Sequence, residues 1–145
     1  KMKIKGFNSE EKKELIKDAL ALYEAGAFSI VIEAVAETAA REVVKEITKF
    51  KKKSIPIIGI GASRYCNGQI LVTDDMLGLT SQVKENSLPK FVKVYKHYDF
   101  ELSIKKFCEE VRNGKFPNDD FCYIKKTKEI SNVTYLKFVK KKWEY

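Results

Sequence analysis

The sequence is short of the residues that build soft-metal centres and covalent frameworks. It has one histidine, His97, so a site with several histidine ligands cannot be made from this chain. Its three cysteines, Cys66, Cys108 and Cys122, are odd in number, widely spaced and free of any CxxC pair. Neither a disulfide framework nor a zinc site is expected, and a reducing, cytoplasmic compartment is the default. No apolar run approaches the ~18 residues needed to cross a bilayer, which argues against a membrane-embedded chain. Lys1 to Lys5 alternate lysine with Met2 and Ile4 and lead into no apolar stretch, so no secretory signal is visible. Lysine as the first residue points to further residues upstream. Internal repeats and low-complexity segments are also missing.

What is present suits one domain. The 145 residues are 44% hydrophobic and 33% charged, with a net charge of +8; that is enough apolar material for a core and too much for a disordered tail. The excess of lysine gathers at Lys49 with Lys51–Lys53 and at Lys140–Lys142, beside Phe50 and Trp143. Such clusters can hold a nucleic-acid backbone. Most lysines here, however, alternate with acidic residues, so a solvated surface is the better reading and a nucleic-acid partner is not expected.

Asn8 followed by Glu11 is a capping-box pattern, and Leu15, Ile16, Ala19, Leu20, Leu22 and Tyr23 then recur at helical spacing up to Gly26. Phe28–Ile32 predicts a strand buried on both faces, and a helix over 36–50 follows with Ala39, Ala40, Val43, Val44 and Ile47 inward. Ile55–Gly61 predicts a second buried strand, and helix–strand alternation with short joints is the pattern of parallel α/β architecture. Gln69–Thr73 predicts a third strand ending in Asp74 and Asp75, although the joint before it is shorter than the dozen or so residues of a helical crossover. From Pro89 onward the expectation is helical, with one stripe at Phe91, Val92 and Tyr95 and another at Ile104, Phe107, Cys108 and Val111 that Gly114 can stop. The tail 124–145 is rich in lysine and carries Tyr135, Leu136, Phe138, Val139 and Trp143 without a clear period.

Glu33 follows Val31 and Ile32, where a parallel strand delivers its last side chain. That end of α/β sheets and barrels is where ligands bind. Apolar neighbours disfavour a carboxylate's charged form, which suits a general base near neutral pH; on position alone, however, an acid serving the dipole of the next helix is the better reading. Gly59-Ile60-Gly61-Ala62-Ser63 is incomplete as a nucleotide loop, because position 64 is Arg64 and no P-loop lysine follows. Glycine there more simply allows a close backbone approach. Asp74 and Asp75 can bind a divalent cation only if both reach one ion, and neighbours on a strand point to opposite faces. His97, between Lys96 and Tyr98, fits a solvated or packed histidine.

Longer strings carry a more specific statement. Asp18 to Val35, Ser54 to Ala62, Cys66 to Val72 and Asp75 to Gly78 closely resemble the ketopantoate hydroxymethyltransferases. Pro89 to Lys93 and Gly114 to Pro117 resemble later segments of that family in the same order, and Lys3 to Gly6 resembles the end of an earlier one. The resemblance covers about residues 2–123. It implies a (β/α)₈ barrel that transfers a hydroxymethyl group from 5,10-methylenetetrahydrofolate to 3-methyl-2-oxobutanoate, with Mg²⁺ chelating the keto acid, and assembly into homo-oligomers. It places Glu33 on the family's proton-accepting glutamate. The surroundings depart from the family pattern: Ala34 and Ala36 replace cysteine and proline, Ser63 replaces glycine, Asp74 replaces histidine, and Asp120–Tyr123 replaces an EHSF-like ending.

A barrel of this kind takes about 250 residues, and the resemblance starts after its fifth strand. The implied reading is therefore an α/β chain forming the C-terminal half of a TIM-type barrel over 1–123, with three parallel strands, followed by a C-terminal helical extension over 124–145. The family's acidic metal ligands and keto-acid lysine fall outside it, so no metal or cofactor ligand is assigned here. The alternative is a non-catalytic remnant serving as a structural half-barrel. Either way the unpaired outer strands invite association with another copy.

Overall fold

A computed structural model describes residues 3–50, 54–80, 87–95 and 99–125. Helix α1 spans Ser9–Glu24. Its start is fixed as the sequence predicts: the Asn8 side chain accepts from the Glu11 N–H at 2.7 Å. The Glu11 carboxylate reaches back further than the simple capping box, accepting from the N–H groups of Gly6 (2.7 Å) and Phe7 (3.2 Å). At the other end Gly26 adopts φ +93°, and the N–H groups of Gly26 and Ala27 close onto the carbonyls of Tyr23 and Leu22. This is the paired closure that a left-handed glycine permits.

Strands β1 (Ile30–Glu33), β2 (Ile57–Ile60) and β3 (Gly68–Gln69) form one parallel sheet in that order. Ile30 to Glu33 lie opposite Ile57 to Ile60 in sequence, and Ile58 and Gly59 lie opposite Gly68 and Gln69. Helix α2 (Glu37–Thr48) connects β1 to β2 and packs beside α1. Side chains alternate across a strand, so Ile30, Ile32 and Ile57 share one face. There they join Ala19, Ala39, Ala40, Val43, Val44 and Ile47 in the main core. The opposite face carries Val31, Glu33, Ile58 and Ile60.

The two faces differ sharply, and this corrects the first strand prediction. Phe28 and Val31 are 87% and 57% exposed, so the strand begins at Ile30 and is buried on one side only. The apolar run does fit a doubly covered strand, but among the described residues no helix covers its second side. On that side only Ile60 is enclosed, by a smaller cluster with Phe91 and Val92 that Leu71 and Tyr123 flank.

The third strand is also shorter than predicted. After two paired residues and one more bond, from the Ile70 N–H to the Gly59 carbonyl, the chain leaves the sheet. Thr73–Leu77 forms a short helix, α3, with Asp74 and Asp75 in its first turn. Carboxylates there favour the positive end of the peptide dipoles, a local signal that outweighs the β-branched pattern before it. The short joint closes because β3 pairs beside the middle of β2. Asn67 makes this possible, donating its N–H to the Ile57 carbonyl (2.8 Å) and accepting the Ile57 N–H on its side chain (2.9 Å).

Residues 87–95 are not helical as expected. Their one turn is closed by the Val92 N–H on the Pro89 carbonyl, yet Phe91, Val92 and Tyr95 are all buried. Helix α4 (Phe100–Arg112) is capped by Asp99 and ends before Gly114 as predicted. The predicted tail beyond Lys125, His97, Lys51–Lys53 and Lys140–Lys142 lie outside the described residues.

Candidate functional site

Glu33 is the last residue of β1, paired with Ile60 of β2. Its side chain is exposed at the carboxyl end of a parallel strand, on the face away from α1 and α2. Directly after it the backbone turns: Ala34 sits at φ +50°, buried, and donates its N–H to the Ile60 carbonyl at 2.9 Å. A non-glycine residue in the left-handed region is held there at a cost of about 1 kcal/mol or more. The turn keeps the sheet bond to β2 while swinging the chain into α2. The Ala36 N–H then donates to the Lys5 carbonyl (2.8 Å), and the Glu37 N–H to that of Tyr123 (2.9 Å). Nothing in the sequence marked Ala34 for this role, since alanine is not a residue of left-handed turns.

The loop after β2 is locked by its own groups. Gly61 has φ +61°, and a Cβ there would lie 2.3 Å from the ring of Phe91. The close approach expected at this glycine is therefore made by an aromatic side chain. Ser63, fully buried, donates its hydroxyl to Glu37 (3.2 Å) and accepts the Tyr65 N–H (3.1 Å), while Gln69 donates to its carbonyl (2.8 Å). Arg64 pairs with Asp119, and the Lys90 ammonium donates to the carbonyls of Cys122 (2.5 Å) and Asp119 (3.2 Å). Below them, burial pushes the Cys66 thiol up to about 11 and raises that of Cys122 as well. Both stay protonated and inert near neutral pH.

A second polar cluster was not legible in the sequence. Glu110 of α4 accepts from the Lys93 ammonium (2.5 Å) and the Tyr95 hydroxyl (2.6 Å). Burial works to raise the Glu110 carboxyl, but these two bonds and the charges of Lys93 and Lys106 outweigh it and hold it below the usual range. Burial and the Glu110 carboxylate raise Tyr95. The cluster ties α4 to residues 87–95. Edge-on contacts of Tyr95 and Phe107 with Phe116 support it.

Among the described residues no group of three or more His, Cys, Asp or Glu side chains is placed to hold a metal ion. Asp74 and Asp75, successive in α3, diverge by about 100° around the helix. These residues do not fit a magnesium site. No helix among the described residues is long and apolar enough to cross a membrane. Of the groups singled out from the sequence that fall among the described residues, Glu33 alone stands on the open face of the sheet at a strand's carboxyl end.

Comparison with known proteins gives a consistent result. Residues 1–119 match the family model described as ketopantoate hydroxymethyltransferase. A 3-methyl-2-oxobutanoate hydroxymethyltransferase of Sphingopyxis alaskensis is 43% identical over 122 residues, covering 83% of this chain and 39% of the relative. That of Thermosipho africanus is 43% identical over 121 residues, covering 81% and 42%. That of Phenylobacterium zucineum is 42% identical over 126 residues, covering 86% and 42%. The chain spans about two-fifths of the length of the curated relatives it matches.

Proposed function

Since this chain belongs to the ketopantoate hydroxymethyltransferase family, we propose that it supplies the general base, Glu33, for transfer of a hydroxymethyl group from 5,10-methylenetetrahydrofolate to 3-methyl-2-oxobutanoate. One observation carries the reading: a carboxylate ends a parallel strand on the side of the sheet that the helices leave free. In parallel α/β architectures that is the end where substrates meet catalytic groups.

The chemistry asks little of Glu33 beyond position. The carboxylate takes the C3 proton of the keto acid, and the electron pair left behind forms the enolate. C3 then bonds to the one-carbon unit of the folate, water supplies the hydroxyl oxygen, and tetrahydrofolate leaves with 2-dehydropantoate as product. The backbone bond from Ala34 to Ile60 fixes the strand end that carries the base. Apolar walls around the substrate come in part from Val31 and Ile58 on the same face. Cytoplasmic location and assembly with further copies belong to the same reading.

The test is proton NMR of 3-methyl-2-oxobutanoate in heavy water with magnesium. It compares this chain with its Glu33→Gln variant, each alone and together with the unmatched part of a relative. Loss of the C3–H signal is expected to be at least 100-fold slower with Glu33→Gln, the lower end for removal of a general base. Equal rates for the two chains, or no exchange under any condition, would sink the assignment.

A further inference from the structure

We infer that Ser63 and Glu37 are positioning residues for the base. The hydrogen bond between them clamps the start of α2 to the loop after β2, and so holds the strand end that carries Glu33. The inference rests on the role proposed for Glu33, and its experiment reads the clamp and the base separately.

The turn after Glu33 needs holding. Three residues, Ala34 to Ala36, separate it from α2, so a shift in the first turn of the helix passes directly to the strand end. Ala34 is left-handed, at φ +50°, a conformation that persists only where its surroundings over-determine it. Ala36 precedes the helix without any side-chain cap. It also stands where the family pattern has proline, whose ring fixes φ at about −65°; Ala36 keeps φ −56° with no ring to hold it. Backbone bonds give part of the support, from the N–H groups of Ala34, Ala36 and Glu37 to the carbonyls of Ile60, Lys5 and Tyr123. The Glu37 side chain adds a tie to a fourth segment, the loop after β2.

That loop is a fixed point. Ser63 is fully buried within it. A serine hydroxyl has one proton to give and lone pairs to accept with. Here the proton goes to the Glu37 carboxylate (3.2 Å), and the Tyr65 N–H donates to the hydroxyl oxygen (3.1 Å). The Ser63 carbonyl in turn accepts from the Gln69 side chain (2.8 Å) and the Cys66 N–H (3.2 Å). Gly61, two residues earlier, lies against the Phe91 ring. A loop closed by so many of its own bonds does not follow α2 but restrains it. Position 63 is glycine in the family pattern, and glycine has no hydroxyl to offer. The two departures are therefore complementary: the restraint missing at Ala36 is returned by Ser63 through Glu37.

The experiment compares Ser63→Ala, Glu37→Ala and Glu37→Gln with the parent chain. It reads amide hydrogen exchange, and C3–H exchange of 3-methyl-2-oxobutanoate under the conditions given for Glu33→Gln. Glutamine keeps the accepting oxygen, and both Glu37 variants leave the bond from Tyr65 intact, so a folding defect in Ser63→Ala does not decide the outcome. In the two alanine variants, amide exchange at Ala34 and at the first residue of α2 should be about tenfold faster, the low end for a lost bond to a charged group. Amides inside α1 should be unchanged. The kcat for C3–H exchange should fall about tenfold with KM held within about twofold, and Glu37→Gln should restore both readouts. Parent-like amides in the alanine variants overturn the clamp, and loosened amides with parent-like turnover overturn the positioning role. Equal turnover by Glu33→Gln, or none by any chain, removes the base and the positioning role with it, and the amides alone then decide the clamp.

Discussion

At the scale of single residues, chemistry and conformation were legible to different degrees. Glu33 follows Val31 and Ile32, which predicts the end of a strand, and β1 ends there; position alone favoured an acid opening the next helix, and the family resemblance is what singled it out as a base. Gly61 was marked as a point of close approach, but its neighbour, Phe91, is thirty positions away and has no trace in the local pattern. Replacing Gly61 by alanine should cost about 3 kcal/mol, combining a left-handed alanine with displacement of a buried ring. A fall in the denaturant midpoint measures it, and an unchanged midpoint would show that Phe91 yields freely. The cysteines can be ranked as well. Cys108 is half-buried while Cys66 and Cys122 are buried, so a thiol reagent at pH 8 should label Cys108 at least tenfold faster in the native chain. Burial keeps Cys66 protonated to about 11. The stability this thiol contributes is therefore present below the ordinary thiol range and lost as pH rises from there through 11.

Elements were most legible where a cap states the boundary. Asn8 and Glu11 announced α1, and Gly26 and Gly114 announced two helix ends, because caps act within a few residues of chain. Asn8→Ala should lower stability by about 1 kcal/mol, measured by urea unfolding. Elements defined by partners were less legible. Gln69–Thr73 has strand composition, but β2 offers room for only a brief pairing and the acidic pair starts a helix instead. Phe91, Val92 and Tyr95 have helical spacing, yet they are buried from an irregular segment that α4 holds in place through Glu110. The depressed Glu110 carboxyl predicts how that attachment responds to acid. Its contribution is complete above the ordinary carboxylate pKa and fades as pH falls through the lower value of the folded state. Glu110→Gln should flatten the melting temperature between pH 5 and 3 (about the range of ordinary carboxylates) and lower it at pH 7. A steep acid loss in that variant would place the dependence elsewhere.

On the scale of the whole molecule the sheet has one packed face and one open face, and two valines report the difference. Val43 on α2 is 2% exposed and Val31 on β1 is 57% exposed. Val43→Lys should unfold the chain, because a charge in that core has no partner. Val31→Lys should stay within about 0.5 kcal/mol of the parent, as surface changes do. Thermal unfolding of the two variants decides it, and a large loss from Val31→Lys would mean that the second face is covered. By itself the sequence determined the order of helices and strands, the parallel α/β class, the family and the carboxylate at the end of β1. These depend on period, capping and residue identity, all written locally. Only the tertiary structure decided which face of the sheet is covered, how far the third strand runs, why Ala34 bends leftward and which groups Glu110 and Gly61 meet. Those outcomes depend on what lies across space from a residue, and an apolar run has the same sequence whether one side of it is packed or both.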